Sequence, residues 1–209
     1  MATVQRALEP IAIAVLSKAP GSAKTRLRPV LGAEGAAALQ TRLIARTLET
    51  ALAAGTGPVT LWAAPDETHP AFRTLVLRPG LALARQPEGD LGRRMEVALA
   101  SACPALVIGT DCPALAPNHL RDAAEVLRSG IDVVLIPVDD GGYALIGARN
   151  PHSQLFTDMA WGTATIMADT RRRMTDLGLS WRELEQLWDV DVPADLERLR
   201  REGFAYLMD

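Results

Sequence analysis

Ile11-Ala12-Ile13-Ala14-Val15-Leu16-Ser17-Lys18-Ala19-Pro20-Gly21-Ser22-Ala23-Lys24-Thr25-Arg26-Leu27-Arg28 joins an uninterrupted apolar run to a loop with four cations and a glycine. A run apolar at every position suits a strand buried on both faces, the usual condition of a parallel sheet. Working outward, similar runs predict strands at Val59–Ala63, Leu81–Arg85, Ala105–Gly109 and Val133–Pro137, with another at Tyr143–Gly147. Between them lie helical patterns. The clearest is Ala33–Ala54, where Leu39, Leu43, Ile44, Leu48, Ala51 and Leu52 form one stripe and Gly55 stops it. Others are expected at Arg93–Ala102, Pro117–Arg128, Thr163–Leu177 and Pro193–Arg201. Strands alternating with helices predict an α/β domain, a largely parallel sheet covered by helices.

The chain has 209 residues, enough for one domain with an ordinary core, and nothing in it reads as a repeat or linker. Residues 1–10 read as an extension before the domain at 11–209, expected to be disordered, and lack the apolar centre of a signal peptide. A net charge of -3 argues against a nucleic-acid or membrane-surface binder, so any anion site has to be local. Cys103 and Cys112 form neither a CxxC pair nor a disulfide framework, which fits a reducing cytoplasm. Ala148–Trp161 fits no element and is expected to be a covering loop.

In open α/β sheets ligands bind beyond the carboxyl ends of the strands, so the segments just after each strand are the candidates. In the first, backbone amides near Gly21 with Lys18, Lys24, Thr25 and Arg26 could hold a di- or triphosphate. A P-loop needs glycine directly before the lysine, whereas Ala23 stands there and Pro29 follows soon after. A solvated basic loop is the plainer alternative. In Gly109-Thr110-Asp111-Cys112-Pro113 a carboxylate leaves a buried strand, and Asp111 is placed to hold Mg²⁺ or Mn²⁺. Asp139-Asp140-Gly141-Gly142-Tyr143 is either a hairpin turn or an acceptor site with paired acids. In Trp188-Asp189-Val190-Asp191, Asp191 could cap the next helix, and Asp189 with Asp191 could complete a metal site with Asp111. Gly89, Asp90, Gly92 and Arg93 open a helix after the third strand and could serve the nucleotide.

In their order along residues 11–199, these segments together with Trp161 resemble the cofC-like subgroup of glycosyltransferase-like proteins, in the GT-A or nucleotide-diphospho-sugar transferase superfamily. The stretch Lys18–Leu27 also looks like that of guanylyltransferases that activate 2-phospholactate. The resemblance implies a three-layer GT-A domain with a mostly parallel mixed sheet of about seven strands. It also implies a nucleotide over the first loop, with Lys18, Lys24 and Arg26 on phosphates, and a divalent ion on Asp111 with Asp189 or Asp191. One departure is that Ala19-Pro20-Gly21 replaces the paired glycines of the common nucleotidyltransferase loop.

The expected activity is a metal-dependent transferase acting on a nucleotide-activated substrate and a small-molecule acceptor, with no nucleic-acid or membrane partner. In glycosyl transfer from a nucleotide sugar, Asp139 or Asp140 could deprotonate an acceptor hydroxyl near Gly141, Gly142, Tyr143 and Trp161. In nucleotidyl transfer from a nucleoside triphosphate, the same cations stabilise departing pyrophosphate. A nucleotide-binding module without catalysis is the third reading.

Overall fold

A computed structural model describes residues 8–75 and 77–209; residues 1–7, most of the expected extension, lie outside them. The opening apolar run becomes β1 (Ala12–Lys18). Its alternation sends Ile13 and Val15 to one face and Ala14 and Leu16 to the other. All four are buried. A strand apolar on both sides has to be covered twice, so the sheet is the middle of three layers.

β1 pairs in parallel with β2 (Val59–Ala64) on one side and β4 (Ala105–Ile108) on the other. β3 (Leu81–Arg85) extends the sheet beyond β2. On the other side β6 (Tyr143–Ala148) runs antiparallel between β4 and β5 (Val133–Pro137), and β7 (Trp181–Glu183) closes that edge parallel to β5. The order is β3-β2-β1-β4-β6-β5-β7, a seven-stranded sheet with one antiparallel member. This is the mostly parallel mixed sheet expected from the sequence.

One face is covered by α1 (Arg28–Ala54), the short α2 (Pro70–Leu75) and α4 (Pro117–Arg128), through Ile44, Leu48, Phe72, Leu120 and Leu127. The other is covered by α3 (Leu91–Ala100) and α5 (Ile166–Asp176), through Met95, Leu99, Met167 and Met174. α6 (Pro193–Arg201) packs on the outer side of α1, where Leu196 and Leu199 join Leu39, Leu43, Trp188 and Val190. This third cluster returns the C-terminal segment to the carboxyl edge of the sheet.

Several boundaries differ from expectation for local reasons. α1 already begins at Arg28, with a break at Gly32, whose φ is 70°. α3 starts two residues before Arg93 because the Asp90 carboxylate caps it, accepting from the Arg93 amide at 2.8 Å. Neither α2 nor β7 is expected from the sequence: one is six residues long, and the other is three residues of mostly exposed Trp-Arg-Glu. The expected covering loop at 148–161 packs down, burying Leu155, Phe156 and Met159. Among the described residues, no helix is long and apolar enough to cross a membrane.

Candidate active site

At the carboxyl edge, between the ends of β1 and β4 and the start of β6, lies a cleft of about 680 Å³. Its floor is fixed by two buried glutamines. Gln40, on α1, donates to the Lys18 carbonyl at 2.9 Å; Gln86, after β3, donates to the carbonyls of Ser17 at 2.9 Å and Trp62 at 2.7 Å. Unlike its neighbours, Gln40 is a polar residue on the apolar stripe of α1. That interruption is the mark in the sequence of a side chain with a polar task.

The loop after β1 turns through Gly21, at φ 87°, and then through Lys24, at φ 56°. A left-handed backbone is uncommon for a residue with a Cβ. Here it directs the Lys24 side chain inward, leaving that side chain 1% exposed. The ammonium lies 2.7 Å from Asp111 Oδ1 and also donates to the Val190 carbonyl. The Val190 amide in turn donates to the Asp111 carbonyl at 2.8 Å. One buried cation thus ties three segments together, and Lys24 is engaged by protein groups rather than held out for a phosphate. Arg26 pairs with Asp191 at 2.5 Å at the exposed rim, where such a pair contributes about 0–1 kcal/mol. Among the cleft cations, Lys18 has no carboxylate partner among the described residues.

Asp111, Asp140, Asp189 and Asp191 all line the cleft. The Asp189 carboxyl is pushed up to about 6, first by burial and then by the charges of Asp140 and Asp111, against the opposing pull of Lys24. Asp191 does not cap α6: the Asp195 carboxylate does, accepting from the amides of Asp191 and Val192. The adjacent acids Asp139 and Asp140 part company. Asp140 Oδ1 accepts from the Gly142 amide at 2.8 Å and the residue lines the cleft. Asp139 does not line it; Arg198 at 2.5 Å and Gln186 at 2.6 Å hold its carboxylate elsewhere, and Arg198 keeps it below the usual carboxylate range. Asp139 is therefore placed as part of a structural ion pair, not as a base facing an acceptor.

Of the remaining candidates, Thr25, Gly89, Asp90, Gly142, Tyr143 and Trp161 line the cleft, whereas Gly21, Gly92, Arg93 and Gly141 do not. Arg93 pairs with Glu96 at 3.0 Å. Two of the glycines serve packing. A Cβ on Gly92 would lie 2.8 Å from the Trp161 ring, and one on Gly141 would lie 2.3 Å from the Ala164 carbonyl oxygen just before α5. Tyr143 sits with its hydroxyl 3.9 Å from Met95 Sδ, and burial pushes its phenol well above the ordinary value. With Leu91, Met95 and Ile166, Tyr143 and Trp161 make a largely apolar wall. Arg94, which the sequence reading did not single out, lines the cleft and donates to the Gly89 carbonyl and to Gln86.

Cys112 also borders the cleft, but burial pushes its thiol up to about 12. Only thiolate is nucleophilic. Iodoacetamide at pH 8 is accordingly expected to spare Cys112 in the native protein and to modify it in denaturant, as read by peptide mass; rapid native labelling would contradict this.

Among the described residues, no three His, Cys, Asp or Glu side chains are arranged as a ready metal cage. Mg²⁺ and Mn²⁺ complexes of nucleotides do not require one, since such ions take one or two carboxylates and fill the other positions with phosphate oxygen and water. Asp111 has one oxygen beyond the reach of its Lys24 contact, and Asp189 bears charge that its acidic neighbours oppose. These are hard oxygen donors beside a surplus of negative charge, and they fit such an ion.

A family model described as an uncharacterized protein conserved in bacteria (DUF2064) matches residues 47–163. No curated protein matches the chain. Among solved structures, a protein from Desulfovibrio desulfuricans G20, provisionally named a nucleotide-diphospho-sugar transferase, is 26% identical with a TM-score of 0.79. That match covers 94% of this chain and 96% of the other. A nucleotidyl transfer enzyme from Methanothermobacter is 16% identical over 95% of this chain and 99% of its own, with a TM-score of 0.63. Glucosyl-3-phosphoglycerate synthase from Mycobacterium tuberculosis, in complex with Mn²⁺, UDP and phosphoglyceric acid, is 11% identical over 95% of this chain and 77% of its own, with a TM-score of 0.54. The last two likenesses concern the fold alone. The fold is that of the nucleotide-diphospho-sugar transferase superfamily.

Proposed function

The chain belongs to the DUF2064 family, and from that footing we propose that it is a divalent-metal-dependent transferase taking a nucleotide sugar as donor and an uncharged hydroxyl compound as acceptor. The observation that carries this reading is the charge lining the cleft: five carboxylates, Asp90, Asp111, Asp140, Asp189 and Asp191, against three cations, Lys18, Lys24 and Arg94. Two of those cations are already engaged, Lys24 by Asp111 and Arg94 by Gly89 and Gln86. A bound ion and Lys18 can meet a diphosphate. A second phosphate, as nucleotidyl transfer onto a phosphate acceptor would bring, would add negative charge to a cleft whose lining is already acidic.

The donor's nucleotide would lie along the loop at residues 17–28, with Lys18 against its phosphates. The ion, held by Asp111 and Asp189, would supply a counter-charge for the departing nucleoside diphosphate. Asp140 keeps one carboxylate oxygen beyond its contact with the Gly142 amide. That oxygen would accept a proton from an acceptor hydroxyl. The wall of Leu91, Tyr143 and Trp161 offers that acceptor an apolar face and helps exclude water. The likeness to the Desulfovibrio protein supports a nucleotide-sugar donor.

Nucleotidyl transfer is the second reading, favoured by the sequence of the loop at Lys18–Leu27 and by the fold shared with the Methanothermobacter protein. A single assay separates the two. The protein is incubated with Mn²⁺ or Mg²⁺, a panel of nucleotide sugars and nucleoside triphosphates, and neutral or phosphorylated acceptors, and the leaving group is identified. Nucleoside diphosphate released with a neutral acceptor is the expected result. Pyrophosphate release would overturn the proposal in favour of nucleotidyl transfer, and binding without any release would favour a non-catalytic module.

A further inference from the structure

We propose that Lys24 makes metal binding conditional on the nucleotide, keeping divalent ions off Asp111 until phosphate oxygens arrive. This deepens, and rests on, the reading of the cleft as a metal–nucleotide site. Two observations carry it. The Lys24 ammonium stands 2.7 Å from Asp111 Oδ1, so one of the two oxygens of that carboxylate is already taken by a cation. The ammonium is held in place: its side chain is 1% exposed, its backbone is left-handed, and it also donates to the Val190 carbonyl, so an arriving aqua ion does not displace it cheaply.

A free ion therefore meets a half-occupied Asp111 and a like charge a few ångströms away, with no third side-chain ligand among the described residues to compensate. A nucleoside diphosphate changes this balance, because its oxygens complete the coordination and its charge outweighs that of the ammonium. The metal then enters with the nucleotide, and by reciprocity it strengthens nucleotide binding by the same factor. A coupling of about tenfold or more lies within the ordinary range for linked sites.

The test measures Mn²⁺ binding by the electron paramagnetic resonance of the free ion, with and without UDP, GDP, ADP or CDP. It uses the wild-type chain, Lys24→Met and Lys24→Arg. Wild type is expected to bind Mn²⁺ weakly alone and about tenfold more tightly with the nucleotide it prefers. Lys24→Met should bind Mn²⁺ alone about tenfold more tightly than wild type and lose most of the coupling, while Lys24→Arg, which keeps the charge, should keep the coupling. Folding of each variant is checked by near-ultraviolet dichroism. A folded Lys24→Met variant that binds Mn²⁺ no better than wild type overturns the proposal. If that variant does not fold, wild type decides: equal Mn²⁺ affinity with and without a bound nucleotide overturns it equally. Failure of every nucleotide to bind would sink the metal–nucleotide reading instead, and the effect of Lys24→Met on Mn²⁺ alone would still judge the role of Lys24.

Discussion

Asp111→Asn is expected to lower metal-supported nucleotide binding by about a hundredfold or more, because even outer groups around a metal ligand are worth 10–100-fold. The fold should survive, at a cost. Asparagine fills the same space, and its amide oxygen can still accept from the Lys24 ammonium, but the negative charge beside that buried cation is gone. A buried charge deprived of its counter-ion destabilises by about 1–3 kcal/mol, which for a chain of this size lowers Tm by roughly 2–10 °C. Melting curves with and without UDP and Mn²⁺ read both effects at once. A variant that melts lower yet is stabilised by Mn²⁺ and nucleotide as much as wild type would remove Asp111 from the metal site.

The second large effect is expected at a position that does not face the cleft. Gly141 sits at φ 88°, and a Cβ there would lie 2.3 Å from the Ala164 carbonyl oxygen. Its own carbonyl accepts the Met167 amide in the first turn of α5. Gly141→Ala therefore combines left-handed strain of about 1 kcal/mol with overpacking of about 1–3 kcal/mol. The sum, about 2–4 kcal/mol, corresponds to a Tm lowered by roughly 5–15 °C. Gly162→Ala is the control, because Gly162 has a similar φ of 81° but open space where the Cβ would go. It should lose only the strain, about 1 kcal/mol. Equal losses in the two variants would show that the contact with Ala164 is not what makes Gly141 necessary.

The elements that hold the site were legible where a single physical signal dominated. β1 as far as Leu16, β4 and β5 are apolar because they are buried on both faces, and the helix ending at Ala54 carries an apolar stripe broken by few polar residues, with Gly55 in left-handed conformation after it. The acids at 111, 140, 189 and 191 stood out because carboxylates at the end of buried strands are costly without a task. What was not legible depended on direction rather than position. Asp139 and Asp140 are the central residues of a turn closed by the Gly141 amide on the Val138 carbonyl, and the sequence could not say which of them meets the cleft and which meets Arg198. Likewise, a lysine in a basic loop reads as a solvated cation. Only the left-handed backbone at residue 24 turns it inward onto Asp111. α2 and β7 were missed because six and three residues are too short to show a period.

The tie among Lys24, Asp111 and Val190 also fixes when the site comes into being. Its partners lie far apart along the chain, the lysine and the carbonyl it donates to being separated by 166 positions. During synthesis the first loop and the fourth strand leave the ribosome well before the segment at 189–191. Until that segment docks, the ammonium lacks its second partner and the Asp111 carbonyl lacks the Val190 amide. Contacts of such long range form late, after the local helices and the neighbouring strand pairs. The edge that carries the cleft is thus finished last, and a nascent or partly unfolded chain carries most of the sheet without the tie that closes the cleft.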